Sequence, residues 1–217
     1  MRHKVFLYTV IFFAFVICTS CSDNSPSVAS IQAVTVMEFK DEVSFPSVRL
    51  ALFAEASSDV QRAKKLRVVS RETGLSWNCT DLIKFSEGNK KNWTGSSSIV
   101  PAENEMIPEG AYSVIYTDCA DAVWEGAFSV RYDRELLTKK AGEFPECIKV
   151  SKLEKAAVYD ENGVLKYFGE KKKTWTTIEK VRADIKDAAS FRICYYLSGE
   201  NIMILMPEYG ISDKKSE

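Results

Sequence analysis

The sequence predicts a mainly β protein, a β-sandwich followed by a smaller lobe of β-hairpin, helix and β-hairpin. Three observations carry this expectation. Apolar and polar residues alternate with a period of two through much of the chain, as they do on half-buried strands. Turn residues, above all proline–glycine and asparagine–glycine combinations, separate the alternating runs. A helical spacing stands out once, at Ile178, Val181, Ile185 and Ala189. The composition suits a globular core, with 217 residues, 46% hydrophobic and 12% aromatic. Basic and acidic side chains number 29 and 30, so no bulk field draws nucleic acid and no such partner is expected.

The chain opens with an export pattern. Arg2 and Lys4 precede a charge-free run from Val5 to Ile17. That run is long enough for the apolar part of a signal peptide and short of the roughly 20 residues a spanning helix needs. Cys18-Thr19-Ser20-Cys21 follows, then polar Ser22 to Ser27. Small residues before a cysteine, directly after an apolar run, resemble a bacterial lipobox. Cys18 stands where such families usually carry leucine, so the pattern is closest to the looser, spirochaete-type form. The resemblance implies a lipoprotein precursor in which residues 1–20 are a signal peptide and residues 21–30 a tether. Cys21 is then the acylated, palmitate-bearing N-terminus, with the lipid bilayer as partner. The place implied is the cell envelope, outside the cytoplasm, on the outer or inner membrane. An ordinary secretory signal cleaved near Ser20, or an uncleaved anchor, are the alternatives.

From Ile31 the text reads as strands, and residues 31–133 form the expected sandwich. Val48, Leu50, Leu52 and Ala54 alternate with Arg49, Ala51, Phe53 and Glu55 behind Phe45-Pro46, which suits a strand buried on one face. Leu66–Ser70 and Leu75–Cys79 flank a turn closed by Gly74. Asn92–Gly95 and Ser96–Pro101 read as a short strand bounded by turns. Pro108-Glu109-Gly110-Ala111-Tyr112-Ser113-Val114 runs into a second alternating segment, Val123 to Val130. This hairpin resembles the terminal hairpin of immunoglobulin-like and transthyretin-like sandwiches, which implies a fold and no activity.

The polar stretch Arg134–Gly142 marks a boundary, and residues 144–209 form the smaller lobe. Cys147–Val150 and Ala156–Tyr159 lead to Asn162-Gly163, a strong hairpin signal, with Val164–Phe168 returning. Thr176 as N-cap and Glu179 three residues on read as a capping box opening the helix. Phe191–Leu197 and Ile202–Met206 supply the last two strands.

The chemistry is thin. The one histidine, His3, lies in the signal segment, so Ser-His-Asp and Cys-His catalysis and histidine-ligated metals are excluded from the exported part. Cys79, Cys119, Cys147 and Cys194 contain no Cys-x-x-Cys pair and, in an oxidising compartment, are expected as two disulfides. Three pairings are open, and Cys79–Cys119 with Cys147–Cys194 keeps each within one lobe. Asp118, Asp121 and Glu125 surround one turn, where carboxylates serve turn geometry and also invite acid–base or calcium chemistry. Asp160-Glu161-Asn162-Gly163 lacks the spacing of a calcium loop. The lone Ser-x-x-Lys, Ser212 and Lys215, sits in the tail, where nothing buries the lysine. Lys166-Tyr167-Phe168 with Lys171 to Trp175 mixes cations and aromatics, as a face for an acidic polymer or glycan does. Trp77, Trp93 and Trp124 are expected in the core. No metal and no cofactor are implied. The expectation is a binding or structural role, not catalysis, contacting another envelope protein through loops such as Glu87–Lys91 and Lys171–Trp175. The alternative is an envelope hydrolase working through carboxylates.

Overall fold

The computed structural model describes residues 28–56, 60–87, 91–102 and 105–210. They are mainly β. In chain order the strands are β1 (Val28–Glu38), β2 (Ser47–Ala56), β3 (Ala63–Ser70), β4 (Ser76–Cys79), β5 (Ile83–Glu87) and β6 (Lys91–Ile99). β7 (Gly110–Asp118) and β8 (Val123–Val130) complete the first part. After two short 3-10 turns come β9 (Leu153–Tyr159), β10 (Leu165–Glu170), the helix α1 (Ile178–Asp184), β11 (Ser190–Leu197) and β12 (Ile202–Tyr209).

Two sheets result. The larger has eight strands in the order β10-β9-β11-β12-β1-β2-β6-β5, and the smaller has four, β4-β3-β7-β8. The expected hairpins are present: Gly74 and Gly163 turn with positive φ, and β7 pairs β8 from Gly110↔Val130 to Thr117↔Val123. The smaller lobe exists as hairpin, helix and hairpin, but it has no sheet of its own. β12 runs parallel to β1, with Thr35 opposite Ile202 and Glu38 opposite Leu205. Its strands therefore extend the large sheet of the sandwich.

Alternation decides which side chains of the large sheet share a face. Met37, Leu50, Leu52, Tyr195, Leu197, Ile202 and Ile204 point to one face and pack against Leu66, Val68, Tyr112, Val114 and Tyr116 of the small sheet. Each such buried side chain contributes roughly 1.5–3 kcal/mol of transfer free energy. On the same face, α1 closes a second cluster of Ala156, Val158, Trp175, Val181, Ala188 and Phe191 over β9 and β11. The opposite face carries the alternate residues: Phe53 lies opposite Gly95, and Gly95 opposite Ile83. No described strand or helix is stacked on that outer face.

The short strand expected over residues 92–101 is β6, nine residues from Lys91 to Ile99. Two local expectations change. Cys147–Val150 is irregular, held against the core by Ile148. The helix is capped at Thr177, without a side-chain cap bond. The expected capping box from Thr176 is therefore not formed, and the Thr176 hydroxyl accepts a hydrogen bond from Lys180 Nζ (2.9 Å).

Candidate binding surface

The end of the sandwich where β1 turns into β2 carries a set of exposed apolar side chains on fixed loops. Val43 is 71% exposed and Phe45 59%, both on the loop between these strands. At the same end, Val100 is 53% exposed, and Leu75 and Met106 are exposed as well. Exposed apolar residues grouped on loops mark contact sites more often than scattered ones do.

Backbone hydrogen bonding shapes these loops. The Asp41 carboxylate accepts from the backbone N–H of Val43 (3.0 Å) and of Ser44 (2.7 Å), which bends the loop so that Val43 projects. Those two N–H groups hold the Asp41 carboxyl below its ordinary value, the Ser44 bond first and the Val43 bond next. Tyr209 Oη donates to Glu42 Oε1 (3.0 Å) and ties the loop to the end of β12. Trp77 Nε1 donates to the Val100 carbonyl (2.7 Å), joining the small sheet to the end of β6. Tyr132 Oη donates to Ile107 O and Tyr112 Oη to Pro108 O, each at 2.6 Å. Ile107 is fully buried, so this stretch is pinned while its neighbour Met106 faces outward.

The carboxylates expected around one turn do not converge. Asp118 is 2% exposed; it accepts from the backbone N–H groups of Ala120 and Ala122 and pairs with Arg62 at 3.0 Å. Asp121 pairs with Lys64 at 2.5 Å. Glu125 stands opposite Ile115, on the face of the small sheet that points away from Asp118. The Asp160 carboxylate likewise accepts from Asn162 and Val164 and builds its turn. Among the described residues, no three histidine, cysteine or acidic side chains are grouped as a metal site.

The cation–aromatic segment is drawn inward. Trp175 is 1% exposed, and its Nε1 donates to Asp184 Oδ2 at 2.6 Å, so it is a core residue rather than a stacking platform. Lys171 pairs with Glu154, Lys172 with Asp184 and Lys166 with Asp160. An open cleft of about 550 Å³ remains beside Trp175, lined by Ile178, Phe191 and Tyr209. Trp77 and Trp124 pack against the main core, the Trp124 ring lying across Gly126, where a Cβ would collide with it.

All four described cysteines are free thiols, so the expected pairings Cys79–Cys119 and Cys147–Cys194 are not formed. Register explains this. Cys79 on β4 lies opposite Leu66 of β3, which lies opposite Tyr116 of β7, three residues before Cys119. Two strand spacings, about 9–10 Å, separate those strands, beyond the roughly 7 Å a disulfide tolerates. Cys147 packs against the inner core, whereas Cys194 points to the outer face, opposite Leu205 and Lys155. Cys21, the signal segment, and Ser212 with Lys215 lie outside the described residues, as does most of the Glu87–Lys91 loop. No described helix is long and apolar enough to cross a membrane.

Val43, Phe45, Val100 and Met106 lie outside the loops that the sequence singles out, Glu87–Lys91 and Lys171–Trp175. The signal was present in Asp41-Glu42-Val43-Ser44-Phe45-Pro46, a turn former followed by apolar residues with no strand periodicity to bury them. Comparison with known protein families, with curated proteins and with solved structures finds no match to this chain.

Proposed function

We propose that this chain is a lipid-anchored cell-envelope protein that acts by binding another envelope protein through the loop end of its sandwich. The carrying observation is the pinned, exposed set Val43, Phe45, Val100 and Met106, which offers apolar contact area with little ordering cost on association. The export pattern and Cys21 supply the anchor. The rival, an envelope hydrolase using carboxylates, draws no support from Asp118 and Glu125, which face opposite sides of one sheet.

Two experiments test the two halves. Cells fed a palmitate analogue label the wild-type chain and not Cys21→Ser; labelling that persists in the variant removes the anchor. For the binding half, the full chain is crosslinked in native envelope membranes. A specific adduct is expected that Phe45→Lys abolishes and that Leu165→Lys, another exposed apolar site elsewhere, leaves intact. Equal adducts from both variants defeat this surface as the contact.

A further inference from the structure

A second apolar group lies at the opposite end of the molecule, on the outer face of the large sheet. Phe53, Ile83 and Phe85 belong to it. Ile83 is 47% and Phe85 45% exposed, and the Phe53 ring meets the Phe85 ring edge-on at 5.6 Å. β5 is an edge strand. Edge strands are ordinarily guarded by charge or proline, so two exposed apolar residues facing out from one need an occupant.

The start of the described chain says which occupant is in reach. Ser30 of β1 lies opposite Glu55, Glu55 opposite Trp93, and Trp93 opposite Phe85. Three strand spacings place Phe85 about 14 Å from Ser30. Phe53 is nearer still, directly opposite Gln32. Between Cys21 and Val28 there are only Ser22 to Ser27. Fully extended, that link spans at most about 25 Å. A chain acylated at Cys21 therefore keeps the start of β1 within about 25 Å of the lipid headgroups, so this corner can reach them, while the Val43–Phe45 loop lies at the far end of β1, roughly 30 Å or more away.

We infer that Phe53, Ile83 and Phe85 seat the folded domain on the bilayer that carries its acyl anchor. This rests on the lipoprotein reading above. The contact is apolar in character. Charge on this face is balanced: Glu55, whose carboxylate accepts from the Ser30 hydroxyl at 2.8 Å, shares it with the exposed Lys91, so net charge does not supply the attraction. Seating this corner points the loop end away from the membrane, toward a partner.

The test uses the full mature chain, purified from membranes with its acyl chains and reconstituted into phosphatidylcholine vesicles that contain a diazirine-acyl phospholipid. After irradiation, lipid adducts are mapped by mass spectrometry, and Cys21 acylation is read from the N-terminal peptide of the same sample. The expected result is adducts on the β5 peptide and the Phe53 peptide, and none on Val43–Phe45. Adding anionic phospholipid leaves them unchanged. In Ile83→Ser/Phe85→Ser, with an unaltered circular dichroism spectrum, β5 adducts fall about tenfold as the apolar transfer term is lost. Acylated Cys21 with no adduct on β5 overturns the seating while the anchor stands. Adducts from β5 to a second copy or to another protein in place of lipid overturn it equally. An unacylated Cys21 overturns the anchor and the seating together.

Discussion

At the scale of single residues, Glu38 organises the outer face near the loop end. Its carboxylate meets Arg192 Nη1 at 2.6 Å and Arg49 Nε at 3.3 Å, and Arg192 also donates to the carbonyls of Phe39 and Met206. Burial pushes the Glu38 carboxyl up, but the two guanidinium groups outweigh it and hold it below the ordinary carboxylate value. A carboxyl held lower in the folded than in the unfolded chain stabilises fully above the unfolded value, and that stability is lost as pH falls through the folded one. Urea denaturation of wild type and Glu38→Gln is expected to differ by about 1–2 kcal/mol at pH 7, to narrow as pH falls below the unfolded carboxylate value, and to converge only below the folded one. A gap that persists unchanged at pH 3 refutes this account. The cysteines give a second residue-scale outcome. Burial pushes the Cys194 thiol up to about 11, whereas Cys119 is exposed. Alkylation of the native protein should mark Cys119 first and Cys194 only on unfolding. Mass mapping that finds Cys194 modified early counts against the fold at that strand.

At the scale of elements, two devices fix segments that have no regular structure of their own. The segment before α1 is held by Trp175, whose ring stands edge-on to Tyr167 at 5.0 Å and whose Nε1 reaches Asp184 at the end of the helix. Trp175→Ala should cost about 3–5 kcal/mol in a thermal or urea melt, as large-to-small changes at fully buried aromatic sites do; a loss under 1 kcal/mol means that α1 is not packed as described. The Val43–Phe45 loop is held by the Asp41 turn. Asp41→Ala leaves an exposed loop without its local bonds, so it should weaken the crosslinked adduct while leaving the melting midpoint nearly unchanged. Adduct yield equal to wild type would show that preorganisation of this loop contributes nothing.

At the scale of the whole molecule, the parallel pairing of β1 with β12 makes the two expected lobes share one sheet. Removing either half strips backbone partners from the other, so the chain should unfold in one transition. Trp175 reports on the second half, and Trp77, Trp93 and Trp124 report on the first. Fluorescence of Trp175→Phe and of wild type, compared with far-ultraviolet dichroism in urea, should give coincident midpoints after correction for the variant's own stability. Two separated transitions in the wild type refute the shared sheet as the unit of folding.

Local sequence pattern is enough to specify the class of structure and the places where the chain turns. Period-two alternation at Val48–Glu55 and Tyr112–Tyr116, with Gly74, Gly110 and Gly163 at positive φ, is local information, and local sterics enforce it. β5 is not legible because five residues are too few for a periodic signal, and the helix is capped at Thr177, one residue after Thr176, a shift that pattern does not resolve. Everything that depends on which strands are neighbours was decided only in the tertiary structure. Alternation assigns a residue to one of two faces, but it does not say what covers that face. Pairing β11 between β9 and β12 turned Cys194 to the outer face, away from Cys147, and pairing β2 with β6 and β6 with β5 left Phe53, Ile83 and Phe85 in the open near the start of β1. Those outcomes follow from pairings between strands, several of them far apart in sequence, whose free energy exists only once the sheet has formed.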